Sequence, residues 1–130
     1  MLDKFLKIKK STIPKAGKGV FTKIDLKKGQ YVCEIIGEII SIKEYNRRLK
    51  NNLTVEGYSI EISSRRYLDT WNHECAGKYI NDAYRSSFKN NCELCIDDDY
   101  KVYVQTLRKI NKGEELFLSY GEEYWKIIKI

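Results

Sequence analysis

Leu6 and Ile8 alternate with Lys7 and Lys9, the two-residue period of a strand with one face in the core. Ala16-Gly17-Lys18-Gly19 then supplies a glycine-rich turn into a second short strand, Val20 to Thr22. Lys27-Lys28-Gly29 turns the chain into its longest apolar run, Tyr31 to Ile40, which Gly37 is expected to kink or bulge. Ser41 followed three residues later by Glu44 is a capping-box signature, because the serine oxygen can accept an orphan N–H of a first helical turn. Tyr45, Arg47, Leu49 and Lys50 continue it as a short helix. Tyr58, Ile60 and Ile62 alternate with Ser59, Glu61 and Ser63, and Ser63-Ser64 can turn into Arg66 to Asp69, which predicts a hairpin. Cys92 to Ile96, Lys101 to Leu107 and Leu116 to Ser119 read as later strands, the last two joined by a turn at Asn111-Lys112-Gly113. The pattern is mainly β with short helices. With one proline, no repeat and no low-complexity tract, it shows no internal linker.

Composition narrows this picture. At 130 residues the chain reads as one domain, large enough to bury a core without staples. The apolar stretch Val32 to Ile42 is broken by Glu34, Gly37, Glu38 and Ser41, so no membrane span is expected. The start Met1-Leu2-Asp3-Lys4 lacks the layout of a signal peptide, and an intracellular protein is expected. In that setting the four cysteines read as reduced thiols. Cys92-x-x-Cys95 and His73-x-Cys75 could in principle give four zinc ligands, but the spacing fits no common zinc module and no metal is expected. The formal charge of +6 is uneven: residues 1–50 hold 13 Lys and Arg against 5 Asp and Glu, and residues 91–130 hold 6 against 8. The basic half could make a weak contact with nucleic acid or be a solvated surface, and the acidic part could attract a basic peptide.

The segment Glu114-Glu115-Leu116-Phe117-Leu118-Ser119-Tyr120-Gly121 sets a tyrosine hydroxyl between an apolar run and a glycine break. A buried phenol needs a partner or a function. Three further segments precede it in order: Gly17-Lys18-Gly19-Val20-Phe21, Glu34-Ile35-Ile36-Gly37-Glu38-Ile39-Ile40, and Lys78-Tyr79-Ile80-Asn81-Asp82. Each alone is weak, since a lone Gly-x-Gly is usually just a turn. Together, at compatible spacing and from about Lys9 to Trp125, they resemble the SET domain of protein lysine methyltransferases.

The resemblance implies a single domain over residues 1–130, built of several small β-sheets with short helices and a knot-like C-terminal threading. It implies S-adenosyl-L-methionine as cofactor, with the backbone at Lys18 and Gly19 holding its methionine end, Asn81 and Asp82 contacting it, and Trp125 covering the adenine. Tyr120 and Tyr58 would be the catalytic tyrosines, and with Leu118 they would line the channel for the substrate lysine. An apolar residue at 118 leads to the expectation that product goes beyond monomethyl-lysine. Two departures stand out. Asp82 replaces the family's usual histidine, and Tyr84 stands where a zinc-site cysteine lies in the family, with no cysteine after Tyr120. The implied substrate is a lysine in a basic protein segment, a histone tail first, which would place the action in the nucleus or on chromatin. Asp97-Asp98-Asp99 and Glu122-Glu123 could steer such a tail or be solvated. The apolar C-terminal tail could support a homodimer or pack on its own core. The rival reading is a catalytically silent SET-like module that binds protein or nucleic acid.

Overall fold

Alternation in the chain becomes three small antiparallel sheets in the computed structural model, which describes residues 2–55 and 57–120. The first is a ribbon of β1 (Leu6–Lys10) and β2 (Lys18–Thr22), registered from Leu6 opposite Thr22 to Lys10 opposite Lys18. The second has the order β3-β8-β7, from β3 (Tyr31–Ile35), β7 (Cys92–Ile96) and β8 (Val102–Thr106). The third has the order β4-β6-β5, from β4 (Glu38–Ser41), β5 (Ser59–Ser63) and β6 (Arg66–Asp69).

Gly37 does more than kink the long apolar run. It divides the run between two sheets, β3 in one and β4 in the other. A Cβ there would lie 2.6 Å from the Asp69 carbonyl oxygen, so the crossing needs a residue without one. The helix follows as predicted: α1 (Ile42–Lys50) is capped by the Ser41 hydroxyl, which accepts the Glu44 N–H at 3.1 Å. Arg48 on α1 then reaches Glu38 of β4 at 2.8 Å, Glu44 at 2.7 Å and the buried Asp69 of β6 at 3.0 Å, fastening the helix to its sheet. No helix of the described residues is long and apolar enough to cross a membrane.

The segment 116–119 departs from expectation. It forms no strand within a sheet and makes only isolated bridges, Asn81 with Phe117 and Cys92 with Leu118, both parallel. The reason is its surroundings. On one edge Leu116 N–H donates to Val20 and Leu118 N–H to Asn81, and on the other the Phe117 carbonyl accepts the N–H groups of Asn91 and Cys92. Each neighbour runs alongside for only a residue or two, so no ladder can grow. Since Asn81 and Asn91 hold opposite edges, residues 82–90 arch across the segment, and Phe88 of that arch stacks on Phe117 at 5.3 Å. This is the knot-like threading that the resemblance implied. The core, including Val20, Leu26, Val32, Ile80, Val104 and Leu116, collects around this crossing.

Candidate active site

Tyr120 leaves the threaded segment beside the chain that ends the 3-10 turn Ala76–Tyr79. Its hydroxyl donates to the Ile80 carbonyl at 2.5 Å, and its own N–H donates to Asp82 Oδ2 at 2.8 Å. The phenol is thus fixed at both ends by residues two positions apart. Asp82 is buried and its other oxygen, Oδ1, accepts the Tyr84 N–H at 2.9 Å and Asn90 Nδ2 at 3.1 Å. Asn90 in turn accepts the Ala83 N–H at 2.8 Å. The carboxylate that stands in place of histidine therefore closes the 82–90 arch and ties it to the backbone of Tyr120.

Asn81 joins this group to the glycine-rich turn. Its Nδ2 donates to the Lys18 carbonyl at 2.9 Å and lies 3.5 Å from Glu115 Oε2. Glu115 is buried and accepts from Ser11 Oγ at 2.7 Å, Thr12 N at 2.8 Å and Thr12 Oγ1 at 2.6 Å. Its carboxylate occupies the space above Gly19, where a Cβ would lie 2.2 Å from Oε2. Gly17 differs: φ is +74° and, among the described residues, nothing lies within 4 Å of the position a Cβ would take. The two glycines therefore serve different ends, one a left-handed turn that leaves open space and the other a close approach within the protein. The pair of glutamates also divides its work, since Glu114 Oε1 accepts the Asn111 N–H of the turn at 2.9 Å while Glu115 is drawn inward.

Lys18, Gly19, Asn81, Asp82 and Tyr120 are thus drawn into one hydrogen-bonded neighbourhood. Tyr58 sits just before β5, on the third sheet, with its ring edge-on to Trp71 at 4.9 Å and Lys78 Nζ 5.9 Å from its centroid. Lys78 also donates to the Trp71 and His73 carbonyls at 3.2 and 3.0 Å, and through the 3-10 turn it leads directly to Ile80. Leu118 is buried and packs within the core. Trp125, with Gly121, Glu122 and Glu123, lies outside the described residues. Sequence reasoning missed the Glu115 cluster and Asn91, whose buried amide donates to the Glu115 carbonyl and accepts the Phe117 N–H. The signal was the polar residues flanking an apolar run, Asn91 before Cys92 and Glu115 before Leu116.

Among the described residues, the thiol side chains take no part in this neighbourhood's hydrogen bonding. Burial pushes both Cys33 and Cys92 up to about 12, which keeps them neutral and unreactive. Cys75 Sγ accepts the Ile36 N–H at 3.4 Å, and Cys95 Sγ donates to Gln105 Oε1 at 2.9 Å. Among the described residues, no three His, Cys, Asp or Glu side chains group as metal ligands.

Comparison with known proteins matches the SET domain family model to residues 17–121. The chain is 29% identical over 128 residues to the variant-silencing SET domain-containing protein of Plasmodium falciparum, covering 93% of this chain and 5% of that protein. It is 30% identical over 129 residues to the histone-lysine N-methyltransferase mes-4 of Caenorhabditis elegans, covering 88% of this chain and 14% of that one. The fold is similar to a humanized mutant of the Chaetomium thermophilum Polycomb Repressive Complex 2 bound to the inhibitor GSK126, with a TM-score of 0.75 and 26% identity over 90% of this chain and 15% of that one. It is also similar to ctPRC2 in an autoinhibited conformation bound to S-adenosylmethionine, with a TM-score of 0.72, 25% identity and the same shares covered. The chain thus spans only a small fraction of these relatives' length.

Proposed function

Since this chain belongs to the SET-domain family, we propose that it transfers methyl groups from S-adenosyl-L-methionine to the ε-amine of a lysine in a basic protein, a histone tail being the first substrate to test. The observation that carries this reading is the Asn81 bridge, which gathers the Gly17–Gly19 turn and the Tyr120 phenol into one neighbourhood. Open space beside Gly17 and a Lys18 carbonyl held in place by Asn81 fit a cofactor's polar end laid against this backbone. When bound, S-adenosylmethionine would supply a methyl carbon activated by a sulfonium, open to in-line attack by a neutral amine with the neutral thioether S-adenosylhomocysteine as the leaving group.

The chain's contribution is positioning. A lysine amine is almost wholly protonated near neutral pH, with an ordinary pKa of about 10.4, and only its neutral form can attack. An apolar channel disfavours the charged form and so promotes proton loss to solvent. Tyr120 donates its proton to the Ile80 carbonyl, yet a phenol oxygen used as donor keeps its acceptor lone pairs. Those lone pairs can take an amine N–H and aim the nitrogen, and alignment of reacting atoms supplies much of the rate in such displacements. Tyr58 would form the channel wall that carries the lysine toward Tyr120. The names of the relatives support histone lysine methylation, and with it action on chromatin, as the context in which to look.

The test is intact-mass analysis of core histones and basic peptides incubated with S-adenosylmethionine, for the wild-type chain and Tyr120→Phe. Mass gains in methyl steps of about 14 Da that fall at least tenfold in rate in the variant support the reading. A second or third step would support product beyond monomethyl-lysine. Absence of both methyl transfer and thermal stabilisation by S-adenosylmethionine would overturn the enzyme and favour a binding module.

A further inference from the structure

Across the β3-β8-β7 sheet from the core lies a hollow of about 370 Å³, lined by Tyr31, Cys95, Ile96, Asp97 and Tyr103. Its walls follow from the register. β8 alternates buried Val102, Val104 and Thr106 with outward Tyr103 and Gln105, and Cys95 of β7 and Glu34 of β3 both pair with Tyr103. A register shift between Tyr31 and Cys33 lets both Val32 and Cys33 be buried while Tyr31 turns outward, 49% exposed. The Tyr31 and Tyr103 rings then stand 5.7 Å apart at 58°, two aromatic faces that form a corner. At the rim, Asp97 is held by its turn, with Oδ1 accepting the N–H groups of Asp99 and Lys101 at 2.9 Å each.

Charge decides what such a corner can hold. The chain is basic overall, with a formal charge of +6. Yet the outward strand residues here are Tyr31, Glu34, Glu93, Cys95, Tyr103 and Gln105, with no Lys or Arg among them, and the one cation at the hairpin end is the exposed Lys101 opposite Asp97, which forms no ion pair among the described residues. None of the ion pairs found among the described residues involves Glu34, Glu93 or Asp97. Tyrosine faces attract cations through the negative face of the ring, most effectively within about 6 Å of the centroid, and a fixed carboxylate beside them adds directional attraction. An anion would meet Asp97 at the rim with Glu34 and Glu93 on the flanking strands, and a plain hydrocarbon chain would leave these carboxylates without compensation.

We propose that this hollow is a second binding site of the chain, which takes the side-chain ammonium of a lysine, methylated or not, from a basic protein segment. The ammonium rests on the Tyr31 and Tyr103 faces, Asp97 closes the rim, and Glu34 and Glu93 attract the flanking basic residues. Tyr120 does not line it, so the same partner could be held here while another of its lysines occupies the candidate active site. Binding here does not depend on methyl transfer.

The test is titration of the chain with three basic peptides identical except for one central residue, which is lysine, trimethyl-lysine or norleucine. Calorimetry gives the affinity and amide NMR shifts give the place. Shifts should centre on Tyr31, Cys95 and Tyr103, and norleucine should weaken binding by roughly fivefold or more. Tyr31→Ala should weaken the lysine peptide similarly, Tyr31→Phe should retain binding, and Asp97→Asn should lower both affinity and its salt sensitivity. The tighter of the lysine and trimethyl-lysine peptides identifies the state preferred. Equal binding of norleucine, shifts confined to the surroundings of Asn81 and Tyr120, or unchanged affinity in folded Tyr31→Ala would each overturn the proposal, whether or not the chain methylates anything.

Discussion

Asp82 is a buried side chain whose two oxygens accept the Tyr84 and Tyr120 N–H groups and Asn90 Nδ2, so its value lies in the hydrogen bonds that would be lost without it. Asp82→Ala should cost about 3 kcal/mol of stability, read from urea unfolding, because three buried or part-buried hydrogen bonds, from the Tyr84 and Tyr120 amides and the Asn90 side chain, are lost together. Asp82→Asn keeps one acceptor oxygen but turns an NH2 group toward one of those donors, and should fall between the two. If the clamp also aims the phenol, methyl transfer by Asp82→Asn should drop more than its unfolding midpoint explains. The two glycines of the turn offer a contrast of cause. Gly19→Ala drives a Cβ to 2.2 Å from Glu115 Oε2 and should cost about 2–3 kcal/mol through overpacking of a hydrogen-bonded carboxylate. Gly17→Ala meets no atom of the described residues and should cost the backbone penalty of a positive φ, about 1 kcal/mol. Thermal denaturation of the pair separates crowding from conformation, and equal losses would contradict the assignment.

At the scale of elements, α1 illustrates what local sequence can and cannot reveal. Its start was legible because Ser41 and Glu44 act within one turn, and the β5–β6 hairpin was legible because its residues alternate beside their own turn. Nothing near Arg48 in sequence foretold its bond to Asp69, 21 residues away. Burial pushes the Asp69 carboxyl up, but hydrogen bonds from Thr54, the Trp71 N–H and Arg48 outweigh that and hold it below its ordinary range. Glu44 is lowered from 4.5 to about 2 by hydrogen bonds from Arg47 and then Arg48. Both carboxyls have a folded pKa below the unfolded one. Their stabilisation is therefore complete above about pH 4.5 and is lost as pH falls toward about 2. Arg48→Met should cost about 3 kcal/mol near neutral pH, since it strands a buried carboxylate. It should also flatten the decline of melting temperature between pH 5 and 2, because Asp69 would then no longer be held low by the guanidinium.

For the whole molecule, the last apolar segment shows why periodicity misled: Leu116 to Ser119 has the composition of a strand but the environment of a thread. Its pairing partners, Val20, Asn81 and Asn91, come from three places far apart in the chain, and no window of sequence contains that information. The resemblance to a family supplied the threading, and the structure adds the fastener. Asn91 is 1% exposed, its Nδ2 donates to the Glu115 carbonyl at 2.9 Å, and its Oδ1 accepts the Phe117 N–H at 2.8 Å. One amide thus mimics a strand neighbour on a segment too confined to have one. Asn91→Ala removes both bonds and leaves a buried carbonyl and N–H unpaired, which should cost about 2–4 kcal/mol. Because Glu115 and Tyr120 lie at either end of the segment, the same change should loosen both the Gly19 approach and the phenol. Native-state hydrogen exchange provides the check. In the wild type the Leu116, Phe117 and Leu118 amides should exchange only with global unfolding, and in Asn91→Ala they should open through a separate, lower-energy event that spares β3-β8-β7. Should these amides and those of β8 lose protection in step, the thread would be an ordinary part of the sheet core, and Tyr120 would owe its placement to the core as a whole.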